Sequence, residues 1–250
     1  MTAFDLSGKT VLITGASRGI GAAIAVAMAA AGAELALNSR GAEQLEKTAD
    51  AIEGYTLTLP GDVTDPEVAG SVVRQTLESF GHLDVVVNNV GGSSFMVPFT
   101  DLRFSGWDKL MKLNVYSAVH VLQAAAPHLL ERGSGSVINV ASVAGLGATP
   151  ALSPYGASKA ALISLTRSLA AEWAHAGVRV NALCPGWTAT DLNRNLWEDE
   201  AASAALTATI PMGRWGRADE MAGPAVFLAS DASSFMTGQT LVVDGGQSAV

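Results

Sequence analysis

Tyr155 and Lys159 are the residues of this sequence whose types and spacing best suit proton transfer. They stand four apart in the segment Ser153–Lys159, so a helix places both side chains on one face. A free tyrosine has a pKa of about 10 and exchanges protons poorly at neutral pH. A neighbouring ammonium group stabilises the phenolate and lowers that pKa, which makes the tyrosine usable as an acid or a base. Such a pair alone is more often a surface helix pair, so a third group must support the chemistry.

Ser142 supplies that third group. It follows the run Ser136–Val140, which reads as a buried strand. Ligands of open α/β sheets lie just beyond the carboxyl ends of the strands, so Ser142 and Tyr155 are expected to meet over one site. The simpler alternative for Ser142 is that its hydroxyl caps a turn.

Short β-branched runs alternate with helical patterns along the chain. The predicted strands are Thr10–Thr14, Glu34–Asn38, Tyr55–Leu59, Asp84–Val87, Ser136–Val140, Val178–Leu183 and Thr240–Val243. Near-continuous apolar runs suit strands covered on both faces. Intervening helices such as Asp65–Phe80 imply right-handed βαβ crossovers. No repeat or linker divides the chain, so we predict one α/β domain over residues 1–250, a doubly wound parallel sheet of about seven strands with helices on both faces.

A glycine-rich turn, Thr14–Gly21, joins the first strand to an alanine-rich helix. Glycines there let a pyrophosphate approach the helix N-terminus, where unpaired N–H groups and the dipole favour anions. Gly21 also lets the helix lie close to the sheet. Three residues separate Gly15 from Gly19, unlike the common G-x-G-x-x-G fingerprint, and a plain turn in a tight crossover is the alternative.

The same segment, Gly15–Gly19, matches the G-x-S-x-G elbow of serine hydrolases, with Ser17 as the nucleophile. That mechanism needs an acid and then a histidine further along the chain. The last histidine is His175, and an elbow on the first strand is poorly placed, so the hydrolase is the weaker alternative.

The end of the second strand predicts which nicotinamide cofactor is used. A site for NAD has an acidic residue about 20 positions beyond the glycines, whereas Leu37–Arg40 contains none. Arg40 and Arg18 are suited to clamp the additional phosphate of NADP. The alternative is two solvated surface arginines. The sequence therefore predicts NADP(H).

Composition excludes several classes of protein. The 250 residues include 15 Lys and Arg against 23 Asp and Glu, a net charge of −8, which argues against binding to nucleic acid or anionic lipid. The longest uncharged apolar stretch, Gly19–Ala33, is too short to span a membrane. One cysteine and four histidines without ligand spacing predict no metal site. Met1–Thr10 has no apolar signal-peptide core, so we expect a cytoplasmic protein.

Together these motifs resemble the short-chain dehydrogenase/reductase family, and the match runs from about Leu6 to Gly246. The motifs are Thr14–Gly21, Gly61-Asp62-Val63, Asn88-Asn89-Val90-Gly91, Asn114, Ser142, Tyr155 with Lys159, Pro185-Gly186 and Asp244-Gly245-Gly246. Val90 departs from the family, which usually has alanine there. The resemblance implies a single-domain Rossmann-like fold and an oxidoreductase that interconverts a ketone and a secondary alcohol.

The resemblance also implies roles for individual residues. Tyr155 exchanges a proton with the substrate oxygen, and Ser142 donates a hydrogen bond to it. Lys159 binds the nicotinamide ribose and lowers the pKa of Tyr155, while Asn114 holds a water that links Lys159 to solvent. The residues expected to contact the cofactor are Gly15, Ser17, Arg18, Ile20, Ser39, Arg40, Asp62, Val63, Asn89, Tyr155, Lys159, Pro185, Gly186, Thr188 and Thr190.

The substrate is expected to be a small, largely apolar carbonyl compound or alcohol. The predicted pocket residues are Phe95, Leu146, Leu152, Trp187, Leu192 and Leu196, with a lid over residues 190–210. A 3-oxoacyl-thioester reductase is the alternative, although Gly91–Phe95 lacks the charges expected for an acyl carrier. A catalytically silent NADP-binding regulator is disfavoured because all four catalytic residues are present. The family also predicts a homotetramer formed through Phe104–Arg132 and Pro154–Ala176.

Overall fold

A seven-stranded parallel sheet runs through the computed structural model, which describes residues 3–249. Its strands are β1 (Thr10–Thr14), β2 (Glu34–Ser39), β3 (Thr56–Pro60), β4 (Val85–Asn88), β5 (Gly135–Val140), β6 (Val178–Pro185) and, after two short strands described below, β9 (Thr240–Val243). Their order is β3-β2-β1-β4-β5-β6-β9, and every neighbouring pair is parallel. The chain winds outward from β1 in both directions. The predicted fold class is therefore confirmed.

Helices cover both faces of this sheet. They are α1 (Gly19–Ala30), α2 (Ala42–Asp50), α3 (Pro66–Phe80), α4 (Phe104–Met111), α5 (Ser117–Arg132), α6 (Ser153–Trp173), α7 (Arg194–Trp197), α8 (Glu200–Thr207) and α9 (Ala222–Ala229). One core layer packs α1, α2 and α9 on the sheet, and the other packs α3, α5 and α6. Successive side chains of β1 pack into opposite core layers, because side chains alternate between the two faces of a strand. Within residues 3–249, none of the helices combines the length and apolar character that a membrane crossing needs.

Every predicted strand is present; β1 and β9 keep their predicted bounds, and the ends of the others are displaced by at most two residues. The largest change is at β6, which runs to Pro185 rather than Leu183. Its last two residues continue because Cys184 and Pro185 pair with Val242 and Val243 of β9. Cross-strand pairing, which local periodicity does not report, therefore decides where the strand ends.

The long helix predicted over Phe104–Arg132 is interrupted. Residues Lys112–Tyr116 form a π-helical turn between α4 and α5, and Asn114 lies within it. Single π turns inside α-helices are often found at functional sites. The second long helix, predicted over Pro154–Ala176, ends as an α-helix at Trp173 and closes in a short 3₁₀ turn before Gly177, whose φ is +72°.

A second, two-stranded sheet was not predicted. It pairs β7 (Thr188–Ala189) with β8 (Gly216–Arg217) and ties together the two ends of the segment that contains α7 and α8. The Trp187 and Trp215 rings meet edge to face beside it, with centroids 5.6 Å apart. Strands of two residues are too short to show a hydrophobic period in the sequence, so the sequence pattern did not predict them.

Candidate active site

A cavity of about 540 Å³ opens at the carboxyl ends of the sheet strands. Of the predicted catalytic residues, Ser142, Tyr155 and Lys159 line it. The other lining residues used below are Ile20, Asn89, Gly91, Gly92, Phe95, Leu152, Pro185, Gly186, Trp187, Thr188, Thr190, Leu192, Asn193, Leu196 and Gln247. The glycine-rich turn, the β4 and β5 ends and the segment after β6 thus converge on one space, as expected for an open α/β sheet.

Tyr155 reaches the cavity from the first turn of α6, which begins at Ser153 with proline in its first turn. Burial raises the pKa of its phenol, and a hydrogen bond with the Ser142 hydroxyl lowers it by less. Ser142 Oγ also accepts from the Ala144 N–H at 3.1 Å and donates to the Pro185 carbonyl at 3.5 Å. Ser142 therefore caps a turn and meets Tyr155 at the same time, so both interpretations of its sequence position hold.

Lys159 lies one helical turn beyond Tyr155 and is only 3% exposed. Its Nζ donates to the Val140 carbonyl at 2.8 Å and lies 5.8 Å from the centre of the Tyr155 ring. Burial lowers the pKa of Lys159 to about 8, against a smaller opposing effect of Cys184. The Lys159 ammonium group is therefore held beside the Tyr155 phenol in a buried environment that disfavours its positive charge.

Asn114 lies beneath the cavity and is fully buried. Its Oδ1 accepts from the Gly92 N–H at 2.7 Å, and its Nδ2 donates to the Gly92 carbonyl at 3.2 Å. A Cβ on Gly91 would lie 2.7 Å from Asn114 Oδ1 and 2.8 Å from Lys159 Nζ. Only a glycine at 91 lets these two side chains sit so close to the loop. The Asn114 amide thus positions the Gly91-Gly92 loop, and the predicted link to water stays a prediction.

The glycine-rich turn fits a bound pyrophosphate. Gly15 and Gly19 have φ of +66° and +56°, and α1 begins with neither a side-chain cap nor an acidic residue in its first turn. Asn89 Nδ2 donates to the carbonyls of Thr14 and Gly15 at 3.2 and 3.0 Å, which turns those oxygens away from an incoming anion. Ile20, at the start of α1, lines the cavity. An uncapped helix start facing a cavity is a favourable anion site.

Gly21→Ala is expected to disrupt this turn. A Cβ at position 21 would collide with the Gly15 carbonyl oxygen and with Asn89 Nδ2, both fixed in the turn. We expect a loss of about 1–3 kcal/mol in the free energy of unfolding and weaker dinucleotide binding by calorimetry. The matched variant is Gly70→Ala within α3, where a Cβ meets nothing within 4 Å. That variant should be stabilised by about 0.5–1 kcal/mol, as alanine replaces glycine in a helix. Equal behaviour of the two variants would contradict the tight fit at position 21.

The hydrolase alternative has no support at this site. Ser17 is half-buried, and its carbonyl accepts from the Thr48 hydroxyl at 3.2 Å. No histidine of residues 3–249 lines the cavity, so a serine nucleophile would have no base there. Nor does any group of three or more His, Cys, Asp and Glu side chains in that range form a metal site.

Arg18 and Arg40, the predicted phosphate clamp, are both exposed. Across the described part of the chain, neither guanidinium takes part in an ion pair. Ser39 is buried and donates to the Gly41 carbonyl at 3.2 Å, which fixes the bend that leads away from β2. Asn38, just before it, has a buried Oδ1 without a partner among residues 3–249. Two free cations thus flank a strand end that carries no acidic group.

Asp62 and Val63, both expected to contact the cofactor, lie in different environments. Asp62 is exposed, and its carboxylate accepts from the Thr64 N–H at 3.0 Å. Val63, by contrast, is 2% exposed, and its side chain belongs to the core layer beneath α3. The Val63 side chain therefore packs in the core and leaves the main chain of this residue available to a ligand, so its expected cofactor contact stays a prediction.

Five of the six predicted substrate residues line the cavity, and Leu146 does not. The five are Phe95, Leu152, Trp187, Leu192 and Leu196. Leu146 is 44% exposed and lies at a shallow hollow beside Gly156 and Ala157. Gly145 packs so closely on the α6 backbone that a Cβ there would lie 2.7 Å from the Ala160 nitrogen. That contact turns the next residue outward, which corrects the prediction for Leu146.

Asn193 and Gln247 line the cavity but were not identified in the sequence. Asn193 Oδ1 accepts from the Thr190 hydroxyl at 3.0 Å, and its Nδ2 donates to the Thr188 carbonyl at 3.0 Å. The spacing Thr190-x-x-Asn193 is a capping-box pattern and was a usable signal. Gln247 directly follows the Asp244-Gly245-Gly246 motif, but a glutamine there carries no general signal.

Comparisons with known proteins agree with this geometry. A model of the enoyl-(acyl carrier protein) reductase family matches residues 15–248. Gluconate 5-dehydrogenase of Gluconobacter oxydans is 41% identical over 97% of this chain and 96% of its own length. The dehydrogenase/reductase SDR family member 4 of Bos taurus is 36% identical over 96% of the chain and 88% of its own. A gluconate 5-dehydrogenase of Burkholderia cenocepacia, crystallised with NADP and tartrate, is 38% identical, with a TM-score of 0.93 over 99% of this chain and 98% of that one.

A doubly wound parallel sheet with serine, tyrosine and lysine at its carboxyl edge defines a class of α/β oxidoreductases. The coverage and the sequence identity of the matches assign the chain to one family within this class. It belongs to the short-chain dehydrogenase/reductase family and is an oxidoreductase acting on CH–OH groups, so the predicted family is confirmed.

Proposed function

We propose that this protein interconverts a ketone and a secondary alcohol with NADP(H), and that Tyr155 is its proton donor and acceptor. The observation that carries the proposal is the buried contact of Tyr155, Ser142 and Lys159 at the carboxyl edge of the sheet. When bound, NADP(H) supplies or accepts the hydride. The crystallised Burkholderia relative with NADP supports this choice of cofactor.

The catalytic residues have separate tasks in this proposal. The Tyr155 hydroxyl transfers its proton to the substrate oxygen, and the Ser142 hydroxyl donates a second hydrogen bond to the same oxygen. Lys159, held on the Val140 carbonyl, stabilises the phenolate that remains and contacts the cofactor ribose. Asn114 keeps the Gly91-Gly92 loop in place beneath Lys159.

The substrate we propose is an uncharged carbonyl compound. Among residues 3–249, Lys159 is the one charged side chain that lines the cavity, and it is engaged by Val140 and close to Tyr155. A sugar-acid carboxylate enclosed there has no guanidinium or ammonium of its own to offset its desolvation. Phe95, Leu152 and Trp187 supply an apolar wall instead. The names of the relatives favour a sugar acid, which makes it the second candidate.

The experiment is a set of initial rates with NADPH and a panel of three substrate classes. The panel contains neutral aliphatic, cyclic and aryl ketones, 5-keto-D-gluconate, and a 3-oxoacyl thioester. Turnover of the neutral ketones with the highest kcat/KM supports the proposal. A preference for 5-keto-D-gluconate assigns the sugar-acid activity, and turnover of the thioester alone assigns the acyl-thioester reductase. A lack of any turnover with NADPH bound removes the support for the proposed substrate class and leaves an untested substrate or a silent regulator.

Removing the two exposed arginines is expected to change the cofactor preference. In Arg18→Ala/Arg40→Ala, the KM for NADPH should rise about 10- to 100-fold, since charged hydrogen bonds to a phosphate contribute about 1.5–3 kcal/mol. The KM for NADH should change by less than about threefold, because NADH lacks that phosphate. Steady-state kinetics with both cofactors measure the ratio, and Arg74→Ala on α3 is the control. Equal or better wild-type activity with NADH would refute the proposed clamp.

A further inference from the structure

Gln247 lines the substrate cavity with an amide whose oxygen has no partner. Among residues 3–249, its Oε1 is buried and accepts no hydrogen bond. A buried polar atom left without a partner destabilises the structure. A ligand that brings a hydroxyl group removes that destabilisation.

The backbone around Gln247 is held rigidly. The Asp244 carboxylate accepts from the N–H groups of Gly246 and Ser248 at 2.9 and 2.7 Å, and these bonds hold the pKa of Asp244 below its usual range although partial burial opposes them. Gly245 and Gly246 have φ of +65° and +89°, so the chain reverses tightly before position 247. The Gly245 carbonyl also accepts from the Met212 N–H at 3.1 Å, which ties this turn to the end of the α7–α8 segment. The amide is thus presented by a fixed element and not by a loose tail.

Gly186 is the residue that relates the position of the Gln247 amide to that of the Ser142 side chain. The Gln247 Oε1 lies 3.0 Å from where a Cβ of Gly186 would stand. The preceding carbonyl, that of Pro185, is the acceptor of Ser142 Oγ at 3.5 Å. Gln247 Oε1 and Ser142 Oγ therefore approach two consecutive residues, Gly186 and Pro185, and both side chains line the same cavity.

From this geometry we infer that Gln247 is a specificity-determining residue that selects substrates with a second hydroxyl group beside the reacting carbon. The preferred substrate is then an uncharged hydroxyketone, and its product is a vicinal diol. A side-chain amide carries both an acceptor and donors. A hydroxyl group can pair with either end of it, which a plain ketone cannot do. This inference rests on the proposed function, since it names the substrate class of the same site.

The test compares two matched substrate pairs in the wild type and in Gln247→Met. The pairs are 3-hydroxy-2-butanone against 2-butanone for reduction, and 2,3-butanediol against 2-butanol for binding. Methionine keeps the length of the side chain and removes its hydrogen bonding. Binding is followed by tryptophan fluorescence with NADP⁺ present, because Trp187 lines the cavity. Gln239→Met, an exposed glutamine on the same terminal region, is the control.

The wild type is expected to prefer 3-hydroxy-2-butanone by at least about tenfold in kcat/KM, since its additional hydroxyl group pairs with the buried amide. In Gln247→Met this preference should fall to within about twofold, because kcat/KM with 3-hydroxy-2-butanone falls further than kcat/KM with 2-butanone. An unchanged preference, or an equal loss with both ketones, would overturn the inference. If the wild type reduces neither ketone, the proposed function fails. The affinity ratio of diol to monoalcohol then decides the role of Gln247 independently, and equal ratios in the wild type and the variant would reject it.

Discussion

Tyr155→Phe is expected to lower kcat by about 10³-fold in both directions of the reaction, because general acid–base catalysis contributes about 10²- to 10⁴-fold. Phenylalanine keeps the ring that packs beside Lys159 and removes only the hydroxyl that meets Ser142. The free energy of unfolding should change little, since a desolvated hydroxyl is lost together with its single hydrogen bond. Stopped-time assays of ketone reduction and alcohol oxidation measure the effect. Tyr55→Phe, on an exposed tyrosine against Phe80, is the control.

The same residue sets the expected pH dependence. Burial holds the pKa of Tyr155 above its ordinary value despite the Ser142 hydrogen bond. The phenol is therefore protonated at neutral pH, which is the form that ketone reduction needs. Alcohol oxidation needs the phenolate in this proposal, so its rate should rise as the pH approaches the raised pKa of Tyr155, while the reduction rate does not rise. A Tyr155→Phe enzyme that keeps most of its turnover, or that keeps this pH dependence, would remove Tyr155 from the proton transfer.

Much of the fold was predictable because parallel strands covered on both faces are short and apolar. The run that became β1 reads as continuous buried residues, and its ladder with β2 follows from the βαβ order alone. The predicted helix start at Asp65 also rests on local contacts, because the Asp65 side chain accepts from the N–H groups of Glu67 and Val68. Features that depend on a distant partner were not visible, such as the two-residue strands β7 and β8.

The residues of the candidate site also fall into those that local sequence predicts and those that depend on tertiary packing. Tyr155, Lys159 and Ser142 were found because their spacing and their place after a strand follow from local rules. Leu146 was misjudged because the direction of a side chain in a loop depends on tertiary packing of the neighbouring backbone. For Leu146 the deciding contact is that of Gly145 with α6. Gln247 was missed because only tertiary packing leaves its amide oxygen buried without a partner.

The buried Lys159 side chain affects the free energy of unfolding of the protein as well as the proposed proton transfer. Burial lowers the pKa of Lys159 from 10.5 to about 8. At about 1.4 kcal/mol for each pKa unit, the folded protein loses about 3 kcal/mol whenever this side chain is charged. The proposed mechanism nevertheless needs the ammonium next to Tyr155. An active site that destabilises its own fold in this way is a common form of the trade-off between stability and activity.

Lys159→Met is therefore expected to lose about 10²-fold or more in kcat and to show a stability that depends on pH differently from the wild type. Methionine fills a similar volume but cannot stabilise the Tyr155 phenolate. It also leaves the Val140 carbonyl without its donor, a loss of about 1–3 kcal/mol that does not vary with pH. The charge penalty, which methionine removes, does vary with pH, so the two effects can be separated.

The direction of this pH dependence follows from the number of protons that Lys159 binds in the folded and in the unfolded chain. Below about pH 8 Lys159 is charged in both the folded and the unfolded chain, and the wild type has the full penalty. Between about pH 8 and 10.5 the folded chain binds fewer protons than the unfolded chain, so the stability of the wild type rises relative to that of Lys159→Met. Above that window the penalty is absent. Denaturant unfolding at pH 7, 8, 9 and 10 should show the wild type gaining about 2–3 kcal/mol on the variant. Lys112→Met, on an exposed lysine, should show no such change. Parallel stability curves for the wild type and Lys159→Met would mean that burial does not lower the pKa of Lys159, and the amine would then stay a cation beside Tyr155 without a charge penalty to the fold.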